Sequence, residues 1–147
     1  MDQIIIEPGN PNDFRNGELE EVAHLIEAIK PGPIRIATKE QRGYGVTWWE
    51  VIYIWLPPAL LAAGAYVGKK AVDKIVDALT DEFIKWAKRK FNKEGESLRP
   101  KYISILGPDG RPVKSVLVEK SIKSKEIIIT DKTSEDADHP PRKLPPL

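Results

Sequence analysis

Residues 43–67 read GYGVTWWEVIYIWLPPALLAAGAYV, and the structure adopted by this stretch decides the fold. It contains three of the four Trp residues, and the eighteen residues between Glu50 and Lys69 carry no charge. About twenty apolar residues are enough for a helix to cross a bilayer. The same composition is also typical of a segment buried inside a small fold. The flanking sequence is therefore needed to distinguish a membrane helix from a buried segment.

Pro57-Pro58 divides the stretch into two halves. A proline disfavours helical geometry in the residue before it and suits the first turn of a new helix. From Ala59 to about Phe91 apolar residues recur every three to four positions with no helix breaker. This spacing predicts one long helix that becomes amphipathic from Lys69 onward.

The first half, Thr47–Leu56, is less clearly patterned. Its Val, Trp, Tyr and Ile residues favour a strand, but Trp48, Val51 and Trp55 would also share one face of a helix. We predict a helix, because a partner arm joined at the two prolines would cover the apolar face of the second half. Residues 46–91 would then form an apolar helical hairpin.

Short β-branched runs predict strands on both sides of this hairpin, and a helix with an acidic first turn lies between the first two strands. The expected strands are Gln3–Glu7, Ile34–Lys39, Tyr102–Leu106 and Val113–Glu119, with a possible further strand at Glu126–Thr130, and the helix ends near Ile29. The sequence therefore predicts an α+β fold of β-α-β-α-β-β order. In this sandwich the Pro-split apolar helix and the long amphipathic helix pack on a mostly antiparallel sheet.

The chain is predicted to form a single domain over residues 1–130. From Asp131 to Leu147 four prolines and few apolar residues predict a disordered tail. Its motif at residues 140–146 (PPRKLPP) is also compatible with a polyproline-type ligand for a partner.

Three locations remain open for residues 46–68: a buried hairpin, a membrane span and attachment to a membrane surface. A span is supported by small residues and by Lys69-Lys70 as a cytoplasmic flank. It would, however, place the first two strands across the bilayer from the others, so they could not share a sheet. The buried hairpin is therefore preferred.

Composition restricts the location and the chemistry. The chain has no Cys, which excludes disulfides and thiolate metal sites, and its N-terminus lacks the features of a signal peptide. These features predict a cytoplasmic protein, with the cytoplasmic membrane as the alternative. His24 and His139 are too isolated to suggest a metal site, and no cofactor motif is present. Glu50 could be a functional carboxylate, although a helix surface position is preferred.

Two groups of residues are candidates for interaction. The first is the set of aromatic residues Trp48, Trp49 and Trp55, whose number exceeds what core packing needs. The second is the basic run Lys85, Lys88, Arg89 and Lys90, which could contact phosphate or anionic lipid. A solvated helix end is the alternative for the basic run, and nucleic acid is the less favoured partner. No catalytic grouping of side chains is found, so the chain is not predicted to be an enzyme, and no small-molecule substrate is indicated.

Several segments together resemble the effector-associated constant component family, small accessory proteins predicted in bacterial NTP-dependent conflict systems. The matching segments are residues 34–38 (IRIAT), 49–52 (WEVI), 57–63 (PPALLAA), 84–90 (IKWAKRK) and 104–111 (SILGPDGR). The chain departs from the family in having Pro57-Pro58 where glycines are common. The resemblance implies a non-enzymatic adaptor whose protein partner is an effector or regulator. It assigns no catalytic residue.

Overall fold

The computed structural model describes residues 3–10, 13–14, 17–29, 34–37, 49–58, 69–93, 98–121 and 123–145. These ranges contain six strands and three helices. The strands are β1 (Ile4–Pro8), β2 (Ile34–Ile36), β3 (Glu50–Trp55), β4 (Lys101–Leu106), β5 (Pro112–Lys120) and β6 (Ile127–Asp131), and the helices are α1 (Glu18–Ile29), α2 (Lys69–Asn92) and α3 (Thr133–Ala137).

The strands form one open sheet in the order β2-β1-β3-β4-β5-β6. β1 pairs in parallel with β2, and β3 with β4, while the other three pairings are antiparallel. A helix connects the members of each parallel pair, as parallel pairing requires a crossover. The predicted α+β class and the mostly antiparallel sheet are confirmed, as is the long helix over its described part.

α1 and α2 pack together on one face of the sheet, called here the helix face. Every second strand residue contributes to this core, because side chains alternate between the two faces of a strand. Its fully or nearly fully buried members include Ile6, Ile54, Phe83, Trp86, Ile105 and Val118. The stripe predicted on α2 is therefore the one that faces the sheet.

The helical arm predicted over Thr47–Leu56 is wrong where it is described, because Glu50–Trp55 forms strand β3. β3 lies inside the sheet, antiparallel to β1 and parallel to β4. It is buried on both faces, so its sequence is almost continuously apolar and lacks the alternation typical of a half-exposed strand. A short run of this kind satisfies a helical spacing equally well, which explains the error.

The presence of β3 also excludes the membrane-spanning helix considered for residues 46–68, because residues 50–55 cannot be a central strand and part of a helix at once. Among the described residues no helix combines the length and the apolar character needed to cross a bilayer. Residues 59–68 lie outside the described ranges, and membrane contact through them stays a prediction.

The opposite face of the sheet is covered by the C-terminal segment, residues 133–145. The prediction of a disordered tail from Asp131 onward is corrected here: β6 continues to Asp131, α3 follows, and residues 138–145 run along the sheet. Thr133 bonds to the backbone of Ser115, and Arg35 bonds to the Pro145 carbonyl. Composition alone could not reveal that the sheet offers this segment a complementary surface.

A buried ion pair joins the two central strands. Glu50 and Lys101 are opposite each other in the β3–β4 register, and their charged groups are 3.0 Å apart. Both side chains are more than 90% buried, and the Lys101 ammonium lies 5.2 Å from the centre of the Phe91 ring. Glu50 is thus neither a helix surface residue nor free for chemistry.

Replacing Lys101 by methionine should lower the free energy of unfolding by about 3 kcal/mol, because Glu50 would remain buried without its partner. Adding Glu50→Leu should restore most of this loss, since a well-packed apolar pair can substitute for a buried ion pair. Urea unfolding monitored by tryptophan fluorescence measures both changes.

The exposed pair Lys85–Glu82, with a separation of 3.4 Å, provides the control. Lys85→Met should cost less than about 1 kcal/mol. Equal losses for Lys85→Met and Lys101→Met would contradict the importance assigned to the buried pair.

Candidate functional site

A cavity of about 580 Å³ lies between the second face of the sheet and the C-terminal segment. Strands β3 and β4 form its floor, and the turn before β5 and residues 136–143 form its rim. Pockets of 300–1,000 Å³ are typical of sites that bind small molecules or the anchoring side chains of a partner. It is the principal candidate site in the described part of the chain.

Aromatic side chains form much of the floor. Trp49, which precedes β3, stacks on Tyr102 of β4 with ring centres 5.3 Å apart and planes inclined by 29°. Tyr53 lies on the same face two residues after Val51, in accordance with strand alternation. These rings come from adjacent strands, so the β3–β4 register fixes their spacing.

Arg142 attaches the C-terminal segment to this floor. Its guanidinium carbon lies 3.6 Å from the centre of the Tyr53 ring, in a cation–π arrangement. Its Nη2 lies 3.4 Å from Oε1 of Glu7, which also accepts a hydrogen bond of 3.2 Å from Nε1 of Trp55. Glu7 is buried; the Arg142 guanidinium compensates its charge, and the Trp55 indole adds a neutral hydrogen bond.

Gly110 allows the segment to approach the turn between β4 and β5. The Arg142 amide donates to the Gly110 carbonyl at 3.0 Å. Gly110 has a φ of +80°, and a Cβ atom placed there would be 2.0 Å from the Arg142 carbonyl oxygen. Only glycine satisfies both conditions, because it has no Cβ and adopts positive φ without strain.

Polar groups around the cavity are few and mostly satisfied. Ser104 on the floor and Ser115 on β5 share a hydrogen bond of 2.8 Å between their hydroxyls. The buried Tyr102 hydroxyl has no hydrogen-bond partner among the residues that the structure describes. On the rim, burial raises the pKa of Asp136, and the neighbouring His139 partly opposes that shift.

The predicted tryptophan group is not brought together at one site. Trp49 lines the cavity, whereas Trp55 is 1% exposed and bonds to Glu7. Trp48 lies outside the described residues. Of this group, the described part of the chain therefore places one member, Trp49, where a partner could touch it.

The predicted basic run is divided between solvent and core. Lys85, Lys88 and Arg89 lie on the exposed side of α2, far from the cavity side of the sheet. Lys90 is 7% exposed and faces α1, with its ammonium 3.2 Å from Glu21 and 3.8 Å from Glu18. Its role is to pair with α1 across the helix interface.

Glu21 connects the same helices. Although its partial burial opposes the shift, hydrogen bonds from Trp86 and Lys90 hold the pKa of Glu21 below its usual value. The Trp86 indole N–H lies 3.1 Å from the carboxylate, and the Lys90 ammonium lies 5.7 Å from the Trp86 ring. This arrangement is structural.

Sequence reasoning missed Tyr53, Tyr102, Gly110 and Arg142. Had residues 50–55 been treated as a strand, the alternation Val51, Tyr53, Trp55 would have indicated one aromatic face. Gly107-Pro108-Asp109-Gly110, between two predicted strands, has the composition of a hairpin turn, but nothing local indicates that this turn receives Arg142. Among the described residues, no group of three His, Asp or Glu is placed to hold a metal ion.

Comparison of the chain with protein-family models, with curated proteins and with solved structures gives no significant match. The geometry of the cavity is therefore the basis for inferring what this protein does.

Gly110→Ala should release the C-terminal segment from the sheet, because the new methyl group would collide with the Arg142 backbone. Trypsin should then cut after Arg142 at least tenfold faster than in the wild type, since the side chain would leave Tyr53. Mass spectrometry of timed digests measures the rate.

Gly17 supplies the matched control: its φ is +91°, but no atom of the described residues lies within 4 Å of a Cβ placed there. Gly17→Ala should lower the free energy of unfolding by about 1 kcal/mol through backbone strain alone. It should leave the rate of cleavage after Arg142 unchanged. Equal protection of that bond in the Gly110→Ala variant would show that the segment is held by other contacts.

The pKa of Glu21 predicts a pH-dependent contribution to stability. A carboxylate with a lowered pKa in the folded state stabilises the fold above its unfolded pKa, which is near 4.5. That contribution disappears as the pH falls through the folded pKa. Glu21→Gln should therefore lower the free energy of unfolding at pH 7 by up to about 1 kcal/mol, a limit set by solvent screening of the half-exposed carboxylate. At low pH the substitution should leave the free energy of unfolding unchanged.

Chemical unfolding at pH 7 and at pH 3 measures the difference between wild type and variant. Glu20→Gln, an exposed neighbour on α1, is the control and should show no such pH dependence. A Glu21→Gln cost that stays the same at pH 3 would contradict the assignment.

Proposed function

We propose that this protein is a non-catalytic accessory module that binds a protein partner through the cavity on the second face of its sheet. The observation that carries this proposal is the aromatic floor formed by Trp49, Tyr53 and Tyr102 beside Arg142. The partner would insert one or two apolar or aromatic side chains between this floor and the C-terminal segment.

The types of residue at the cavity support a protein partner. Tryptophan, tyrosine and arginine contribute most of the energy at protein interfaces, especially in pockets that exclude water. The stacked pair Trp49–Tyr102 is rigid, so little side-chain entropy would be lost when a partner binds. Arg142 adds a planar cation above Tyr53.

The chemistry of the lining favours binding over catalysis. Ser104 is bonded to Ser115, so its hydroxyl is not activated by a base. Asp136 and His139 lie on the rim, contributed by α3 and the segment after it, away from the floor. Nucleophilic catalysis requires a nucleophile and a base within hydrogen-bond reach, and this lining does not pair them.

The partner class follows from the resemblance to the effector-associated constant component family. We propose that the partner is an effector or regulator in a bacterial conflict or signalling system. The resemblance supports this class, while the cavity supports the manner of binding.

Trp49→Ala should weaken binding of the partner at least tenfold. The immobilised chain would first be used to isolate a partner from the source cells. The purified partner would then be titrated by calorimetry against the wild-type chain and each variant. Loss of the stacked indole removes a large part of the apolar contact area, and circular dichroism would check that the variant is folded.

The control is the combined variant Lys85→Ala, Lys88→Ala, Arg89→Ala on the opposite side of the sheet. It should bind within twofold of the wild type. A partner that tolerates Trp49→Ala but requires the three basic residues would place the docking surface on α2 and overturn the cavity proposal. Failure to isolate any partner that binds in purified form would overturn the accessory role itself.

A further inference from the structure

The outer edge of β6 is unusually apolar for an exposed sheet edge. β6 pairs with β5 on one side, and no described strand lies on its other side. Edge strands are normally protected by lysine, proline or short length. β6 has the sequence IIITD and contains neither lysine nor proline.

Isoleucines project from both faces of this edge strand. Ile128 is 47% exposed on the cavity side of the sheet, and Ile129 is 46% exposed on the helix side. Ile127 is partly buried against the helix-face core. A strand with apolar side chains on both faces and an open edge is suited to pairing with another strand.

The hydrogen bonds show which backbone groups point outward. The Glu126 carbonyl accepts from Ser121, and the Lys132 amide donates to the Ser115 carbonyl. Since antiparallel partners alternate along a strand, the even-numbered residues of β6 bond to β5. The amides and carbonyls of Ile127, Ile129 and Asp131 therefore point to the open edge.

The other end of the sheet is less suitable. Its edge strand, β2, has three residues, all partly buried. The Arg35 side chain beside that edge already bonds to the C-terminal segment. A short edge strand offers few hydrogen bonds to an incoming chain.

We propose that β6 pairs with β6 of a second copy of this chain, antiparallel, with Ile128 of each copy opposite Ile128 of the other. This register places Ile127 opposite Ile129 of the second copy, and these two residues use their outward-pointing backbone groups to pair, while Ile128 faces Ile128 without backbone hydrogen bonds between the copies. The two Ile128 side chains then contact each other on the cavity side, and each Ile127 contacts Ile129 of the other copy on the helix side. The two sheets become one continuous twelve-stranded sheet.

Charge complementarity favours a second copy over an unrelated strand. Lys125 lies three residues before Ile128 and Asp131 three residues after it. Antiparallel pairing about Ile128 therefore brings each Lys125 near Asp131 of the other copy, once at each end. Moving the register by one residue of each chain, so that Ile129 is opposite Ile129, would place Ile128 opposite threonine and Ile127 opposite Asp131.

The first experiment measures self-association by sedimentation equilibrium. The wild type should form dimers at micromolar concentration, and Ile128→Lys should weaken dimerisation at least tenfold, because two like charges would be directly opposite. Leu98→Lys, at an apolar residue that is 60% exposed elsewhere, should dimerise as the wild type does. A monomeric wild type at 500 μM, or a dimer insensitive to Ile128→Lys, would overturn the proposal.

The second experiment tests the register and uses the absence of Cys from the chain. In the proposed dimer, residue 128 lies in a pair without backbone hydrogen bonds, where Cα atoms are about 4.5 Å apart. Ile128→Cys should therefore form a disulfide-linked dimer under mild oxidation. Thr130→Cys is on the same face but about 13 Å from its counterpart, and should not cross-link. Equal cross-linking of the two variants, or none with Ile128→Cys, would overturn this register.

Discussion

The fold depends on the double burial of β3. This strand is hydrogen-bonded along both edges, to β1 and β4, and covered on both faces. On the helix face it supports α1 and α2, and on the other face it provides the floor of the cavity. Its one charged residue, Glu50, is accommodated because the parallel register places Lys101 opposite it. In a chain of this size, so long an apolar strand is removed from water only when both faces of the sheet are covered.

The C-terminal segment completes that enclosure. It covers the second face through contacts that include a guanidinium on Tyr53 and Glu7, a backbone bond made possible by Gly110, and the bonds of Thr133 to Ser115 and of Arg35 to Pro145. Contacts of this kind hold a segment in place without filling the space beneath it with side chains. The cavity is therefore a consequence of how the second face is covered, and it combines an aromatic floor with a rim formed in part by the C-terminal segment. These are suitable properties for a surface that accepts a partner.

Much of the fold was predictable, but little of the site was. The outer strands, α1 and the described part of α2 follow from local spacing, because one-sided amphipathic elements show their period in the sequence. β3 was misassigned because a segment buried on both sides has no such period. Trp49 was identified as a candidate through the excess of aromatic residues. Tyr102 and Arg142, however, are separated from it by 53 and 93 positions, and only long-range pairing brings them together. Lys90 shows the converse: its charge suggested exposure, but the packing of α1 turned it inward.

The sequence by itself determined the class of fold, the composition of the strands, the described part of the long amphipathic helix and the Gly107–Gly110 turn. Each of these depends on interactions among residues close together in the chain. The tertiary structure alone decided that residues 50–55 are a central strand, that the proline-rich end covers the sheet, and that no described strand pairs with the outer edge of β6. Those outcomes depend on which surfaces are left uncovered after the helices have packed. Residues close together in the chain do not indicate which surfaces these are. The stretch from Gly43 to Val67 thus has the composition of a membrane helix, while its residues 50–55 form the middle of a sheet.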